Sequence, residues 1–219
     1  MHGLATQIIN LLAAVLLMLS FAMLSQRRIL SLIHLYTLQG LTLVFANIVL
    51  GYVTADIQLY VSALLTLVLK VGVIPWILYR LVRRLNVKTD VEPLINIPTT
   101  LLIGIALVVV AFNVAAPISQ LASSVARGAL GIALACVLLS FMMMITRAKA
   151  IPQVIGFLSM ENGLFFAAAT ATNGMPMIVE LGIGLDVLVG ILILGIFMFQ
   201  IREQFDSLDI HHLEKLKDD

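Results

Sequence analysis

Seven apolar runs divide the chain, at roughly 4–25, 29–53, 57–82, 94–115, 124–146, 151–173 and 177–201. A helix crossing a ~30 Å hydrocarbon core needs about 20 such residues, so each run predicts one transmembrane helix. The breaks between them are polar or helix-ending. Gln26-Arg27-Arg28 closes the first run and Thr54-Ala55-Asp56 the second. Arg80, Arg83, Arg84 and Lys88 follow the third. Pro93 and Pro98 open the fourth, where proline is tolerated because the first helical N–H groups have no partner to lose. Pro117 and Ser119 are expected in the next loop, Arg147-Ala148-Lys149 leads into the sixth run, and Asn173, Gly174 and Pro176 precede the seventh. The first run lacks a basic leader and a clear cleavage site, and is read as a retained helix.

Composition agrees with the pattern. Hydrophobic residues make up 61% of the 219, charged residues 11%, and the mean hydropathy is +1.10. Soluble domains carry about 25% charge, so the expected class is an all-α integral membrane protein, one membrane domain over 1–219. A net charge of +1 offers no basis for nucleic-acid binding. The single cysteine, Cys136, rules out an internal disulfide. No CxxC, HExxH or Cys/His cluster occurs, so no metal or cofactor is expected in the chain. His211 and His212 point about 100° apart on a helix and lack a third ligand. Gly182-Ile183-Gly184 reads as helix packing rather than phosphate binding.

The basic residues orient the helices. With the N-terminus outside, the cytoplasmic segments hold Arg27, Arg28, Arg80, Arg83, Arg84, Lys88, Arg147, Lys149, Arg202, Lys215 and Lys217. These are eleven of the thirteen basic residues, and positive charge marks the cytoplasmic side. The tail, 202–219, is then a cytoplasmic helix or arm.

Three ionisable residues lie near the middle of the runs: Lys70, Glu161 and Asp186. A charge at mid-bilayer costs at least about 2.5–3.5 kcal/mol on insertion scales, and is kept only against a protein partner or water. Each is therefore a candidate proton-relay group. For Glu161 and Asp186 the competing reading is a structural hydrogen bond between helices, a task that Asn or Gln performs at lower cost. Desolvation favours the neutral carboxyl, which lets such a group accept and release protons. Lys70 would either carry protons or balance a carboxylate. His34, one turn into the second run, could pass protons or simply pack. Glu180 could join the relay or complement a helix N-terminus. Gln39, Asn47 and Asn162 would hold water along a polar path or bond between helices.

The first and last three runs share an organisation. Arg27-Arg28 and Arg147-x-Lys149 each lead into a middle helix, and Gln39-Gly40-Leu41 and Asn162-Gly163-Leu164 lie similarly within those helices. Lys70-Val71-Gly72 falls near the place of Asp186-Val187-Leu188. This pattern predicts a parallel repeat of two three-helix units, 1–90 and 124–201, joined by a linking helix at 94–115.

Met160-Glu161-Asn162-Gly163, the run Val179-Glu180-Leu181-Gly182-Ile183-Gly184-Leu185-Asp186, and Leu69-Lys70-Val71-Gly72-Val73-Ile74-Pro75 together resemble the E component of hydrogenase-4 (Hyf-type) membrane complexes, over nearly the whole chain. From about 125 onward the chain also resembles the three-helix K subunit of complex I, through the Arg before the middle helix, Gly156, Asn162, Asp186 and Gly190. It departs from that pattern in having Leu158 where the K subunit has Glu, the carboxylate coming one turn later at Glu161, and in carrying Asp186 rather than Glu. The resemblance implies a multi-pass subunit of a prokaryotic cytoplasmic membrane, holding no redox centre. It would connect a quinone-module-like subunit to antiporter-like subunits and contact membrane lipid. Alternatives are a subunit of a multisubunit cation/proton antiporter and a structural spacer.

Overall fold

The structure is a computed structural model that describes residues 2–84, 93–121 and 124–172, together with Gly182, Gly190 and Gly195, which are helical. The described residues form helices α1 (His2–Ser25), α2 (Ile29–Thr54), α3 (Ile57–Thr66), a π-helical stretch (Leu67–Val73), α4 (Ile74–Arg84), α5 (Ile97–Leu121), α6 (Ser124–Thr146) and α7 (Ala150–Thr172). The stretch from α3 through α4 is one continuous rod. Six helices are therefore long and apolar enough to cross a membrane among the described residues: Gly3–Ser25, Ile29–Thr54, Ile57–Arg83, Ile97–Pro117, Gly128–Thr146 and Ala150–Ala171. The architecture is that of an all-helical, multi-pass membrane protein. The seventh expected helix, with Glu180 and Asp186, lies outside the described residues apart from Gly182, Gly190 and Gly195.

Local chemistry sets the turns. Ala55 takes the left-handed conformation that closes α2, at φ 54°, and Asp56 caps α3 by accepting a 3.0 Å bond from the Gln58 N–H. That cap satisfies one of the orphan donors at the helix start. One expectation needs correcting. Pro117 and Ser119 do not stand in a loop, because α5 runs on to Leu121 with Pro117 inside it. A proline forfeits one backbone bond and crowds the carbonyl four residues back. Near a helix end that loss leaves most of the ladder intact. The fourth helix also begins later than its apolar run. Residues 93–96 are a non-helical lead-in, pinned where the Leu94 N–H donates to the Thr146 carbonyl at 2.9 Å.

The helices alternate in direction, so the bundle has two distinct ends. At one lie the α1–α2 junction, the close of α4 and the start of α7. At the other lies the α2–α3 turn. The core differs between them. Toward the α1–α2 end it is built from large side chains such as Leu32, Tyr36, Leu78, Met143 and Ile155. Toward the α2–α3 end Ala13, Ala46, Ala129, Ala133 and Ala169 are interleaved with large residues such as Leu16, Leu43, Leu59 and Phe166. The outer surface is apolar, with Leu102, Ile105 and Val109 of α5 and Val61, Leu64 and Val68 of the α3 rod exposed. In water such a surface would aggregate; in a bilayer it meets acyl chains or a partner helix.

Candidate functional site: a buried ion pair at mid-span

Lys70 stands at the midpoint of the Ile57–Arg83 span, thirteen residues from each end. Glu161 stands eleven residues after Ala150 and ten before Ala171 in its own span. The two meet. The Lys70 Nζ donates to Glu161 Oε1 at 2.9 Å and to Asn162 Oδ1 at 3.0 Å, with both charged side chains buried. The Phe165 ring, one turn further along α7, lies 5.5 Å from the ammonium. Its face adds a cation–π contact. The arrangement removes most of the cost of placing either charge at this depth, since each neutralises the other.

Two backbone features bring the partners together. Lys70 is the buried residue of the π-helical stretch. Pro75 follows it, and in an ordinary α-turn its ring would press on the Val71 carbonyl. The wider π-turn moves that carbonyl aside and accommodates one more residue per turn. Gly40 of α2 then lets the rod approach closely: a Cβ there would lie 3.3 Å from Lys70 Cβ and 3.2 Å from Val71 Cγ2. Gly156 and Gly163, seven residues apart on α7, do the same against α6. A Cβ on Gly163 would stand 3.2 Å from the Val137 nitrogen and 3.3 Å from the Ala133 carbonyl. Small residues on one face are the usual means of close helix packing in membranes, and here they hold Glu161 and Asn162 at fixed depth.

The remaining polar residues fall around this pair. Gln39 is buried and its Nε2 donates to Ser20 Oγ at 3.0 Å, while Ser20 also interacts with the Cys136 thiol. Ser140 and Ser159 share a 2.8 Å bond between α6 and α7. Asn47 Nδ2 donates to Ser62 Oγ at 3.4 Å. Among the described residues, the buried polar atoms without a hydrogen-bond partner include Gln39 Oε1, Asn47 Oδ1, Glu161 Oε2 and Asn162 Nδ2, and also Arg147 Nε and Nη1. His34 is apart from this group. It is exposed on α2, and its Nδ1–H donates to the Leu30 carbonyl at 2.7 Å. Asp186 and Glu180 lie outside the described residues. Gly182 packs tightly, since a Cβ there would come within 3.0 Å of the Phe165 ring.

Arg147 holds a place that charge counting does not reveal. It is buried, and its Nη2 donates to the Leu24 carbonyl at 2.6 Å and to that of Met23 at 3.5 Å. It therefore caps the end of α1, where unsatisfied carbonyls and the helix dipole both favour a cation. Burial pushes its pKa down from the ordinary value, but a guanidinium starts so high that it stays protonated. The sequence offered only a basic residue before a helix.

No family model matches the chain, and no solved structure matches it. The uncharacterized protein Rv0085 of Mycobacterium tuberculosis is 31% identical over 212 residues, which is 96% of each chain. Identity at that level along almost the full length makes this chain a member of the same family as the mycobacterial protein.

Proposed function

We propose that the chain is a non-redox membrane-arm subunit of a hydrogenase- or complex-I-like oxidoreductase, contributing a mid-membrane proton relay that couples electron transfer to ion translocation. The observation that carries this reading is the buried Lys70–Glu161–Asn162 contact at mid-span. The motif resemblance to hydrogenase-4 component E supplies the complex. A structural bond between helices at this depth needs no titrating groups, whereas a relay does.

Glu161 Oε2 is the carboxylate oxygen that Lys70 leaves free. A proton arriving there neutralises the carboxylate and weakens the ion pair. With Glu161 neutral, Lys70 holds its own proton less tightly and releases it to the next station. Transfer of the carboxyl proton to the amine then restores the pair, and one proton has moved. Asn162 keeps the lysine head in place through both states, because its Oδ1 accepts from an ammonium and from an amine alike. Asp186 of the last helix is the proposed neighbouring station, and antiporter-like and quinone-module-like subunits are the proposed neighbours in the membrane. The helices Ile29–Thr54 and Ala150–Ala171, with the polar bridges Gln39–Ser20 and Ser159–Ser140 each joining a pair of successive helices, support the parallel repeat.

The spacer reading draws on one observation, the close coordination of Lys70 by two oxygens, which would also suit a static lock. The Glu161→Gln variant separates the two. It keeps shape but removes titration. In the assembled complex, ion translocation in membrane vesicles should fall far more than assembly does. Unchanged translocation with the complex intact favours the spacer. Recovery of the tagged chain in mild detergent with antiporter-like subunits alone, without hydrogenase-type subunits, would favour the antiporter reading.

A further inference from the structure

The polar residues are distributed unevenly along the rod that carries Lys70. Ser62, Thr66 and Lys70 are buried at successive intervals of four residues, a single inward stripe from the α2–α3 end to mid-span. Beyond mid-span the inward positions of the same rod are Ile74, Leu78, Leu81 and Val82, all within the large-side-chain core. The polar stripe therefore stops at Lys70. Its outer end meets Asn47, which bonds Ser62 and leaves its own Oδ1 without a partner. Its inner end meets Glu161 Oε2 and Asn162 Nδ2, two more unpartnered buried atoms. Buried polar atoms of this kind take water, provided the site is polar and has room.

We propose that the Lys70–Glu161 pair communicates with one side of the membrane only, through a hydrated half-passage lined by Asn47, Ser62 and Thr66 that opens beside the α2–α3 turn. The ligand of this passage is water and the hydrated proton. Its closed end is the apolar core beyond Ile74 and Leu78. This rests on the relay reading for its purpose but not for its test. A one-sided passage gives the relay a defined exit or entry: protons exchange with that side through the stripe, and reach the pair otherwise only by lateral transfer. By the count of basic residues, the open side is the external one.

Accessibility is measured without turnover, in native membrane vesicles of both orientations. The full chain carries Cys136→Ser, and single cysteines are added as Gln58→Cys, Ser62→Cys, Thr66→Cys or Leu78→Cys. Gln58 is exposed in the first turn of α3 and marks that side. A small membrane-impermeant methanethiosulfonate is applied from each side. Ser62→Cys should react from the side that labels Gln58→Cys, with labelling lost from the opposite side. Leu78→Cys, as deeply buried in the other half, should react from neither. Should Ser62→Cys fail to accumulate in the membrane, Thr66→Cys is read in the same way. No labelling of either stripe position, labelling from the opposite side, or equal labelling of Leu78→Cys would overturn the proposal. The outcomes remain distinct from those for the relay. A labelled stripe with normal translocation in Glu161→Gln leaves the passage and removes the relay. An unlabelled stripe with translocation lost in Glu161→Gln does the reverse.

Discussion

Glu161 gives Lys70 one carboxylate oxygen and keeps the other free, and the proposed relay rests on this division. The sequence revealed the depth of each charge, because depth follows from counting residues along an apolar run. It could not reveal that the two meet, since they are 91 residues apart and their meeting depends on helix arrangement. Phe165 carried no signal at all, being one apolar residue among many. Arg147 was legible as a marker of membrane side but not as a cap, because its partners are backbone carbonyls of Met23 and Leu24 that any sequence would supply. Arg147→Ala should destabilise the protein by about 1.5–3 kcal/mol, the usual value of a buried charge-assisted hydrogen bond. Arg147→Lys should recover only part of it, since an ammonium lacks the forked donor geometry. Thermal unfolding in detergent checks both, and full stability in Arg147→Ala would show the cap to be idle.

At the level of elements, six of the spans could be read directly from hydropathy, and Ala55-Asp56 was a legible turn. The π-helical stretch at Leu67–Val73 was not, because its sequence is as apolar as an ordinary span and its single cue is Pro75. Pro117 misled for a related reason: proline marks helix ends on average, yet here α5 runs on for four residues past it. The approach of α7 to α6 depends on glycines whose role appears only once the neighbouring backbone is in place. Gly163→Ala adds a methyl 3.0 Å from Val137 Cγ2, with the Val137 nitrogen and the Ala133 carbonyl behind it. Backbone yields less readily than a side chain, so overpacking should cost about 1–3 kcal/mol. It should also shift the α7 face that presents Glu161. Lower thermal stability is the expected result; a neutral effect would mean that α6 and α7 separate easily.

At the scale of the whole molecule, the apolar exterior requires a bilayer and the uneven core gives the bundle a polarity across it. Arg80 stacks on Trp76 at 5.2 Å and Arg83 on Tyr79 at 4.4 Å at the α1–α2 end, as aromatic and basic residues do at a membrane surface. A reporter fused after Asp219 should be active only in the cytoplasm, and its export would invert the orientation. Lys70→Met alone leaves the Glu161 carboxylate buried without its counter-charge and should cost about 3–5 kcal/mol, whereas removing both members is often neutral. The double variant Lys70→Met/Glu161→Gln therefore isolates titration from folding. The decisive measurement is ion translocation per electron by membrane vesicles holding the intact complex with that double variant. A titrating pair requires normal assembly with translocation lost; normal assembly with wild-type translocation would show that the pair does not titrate during pumping.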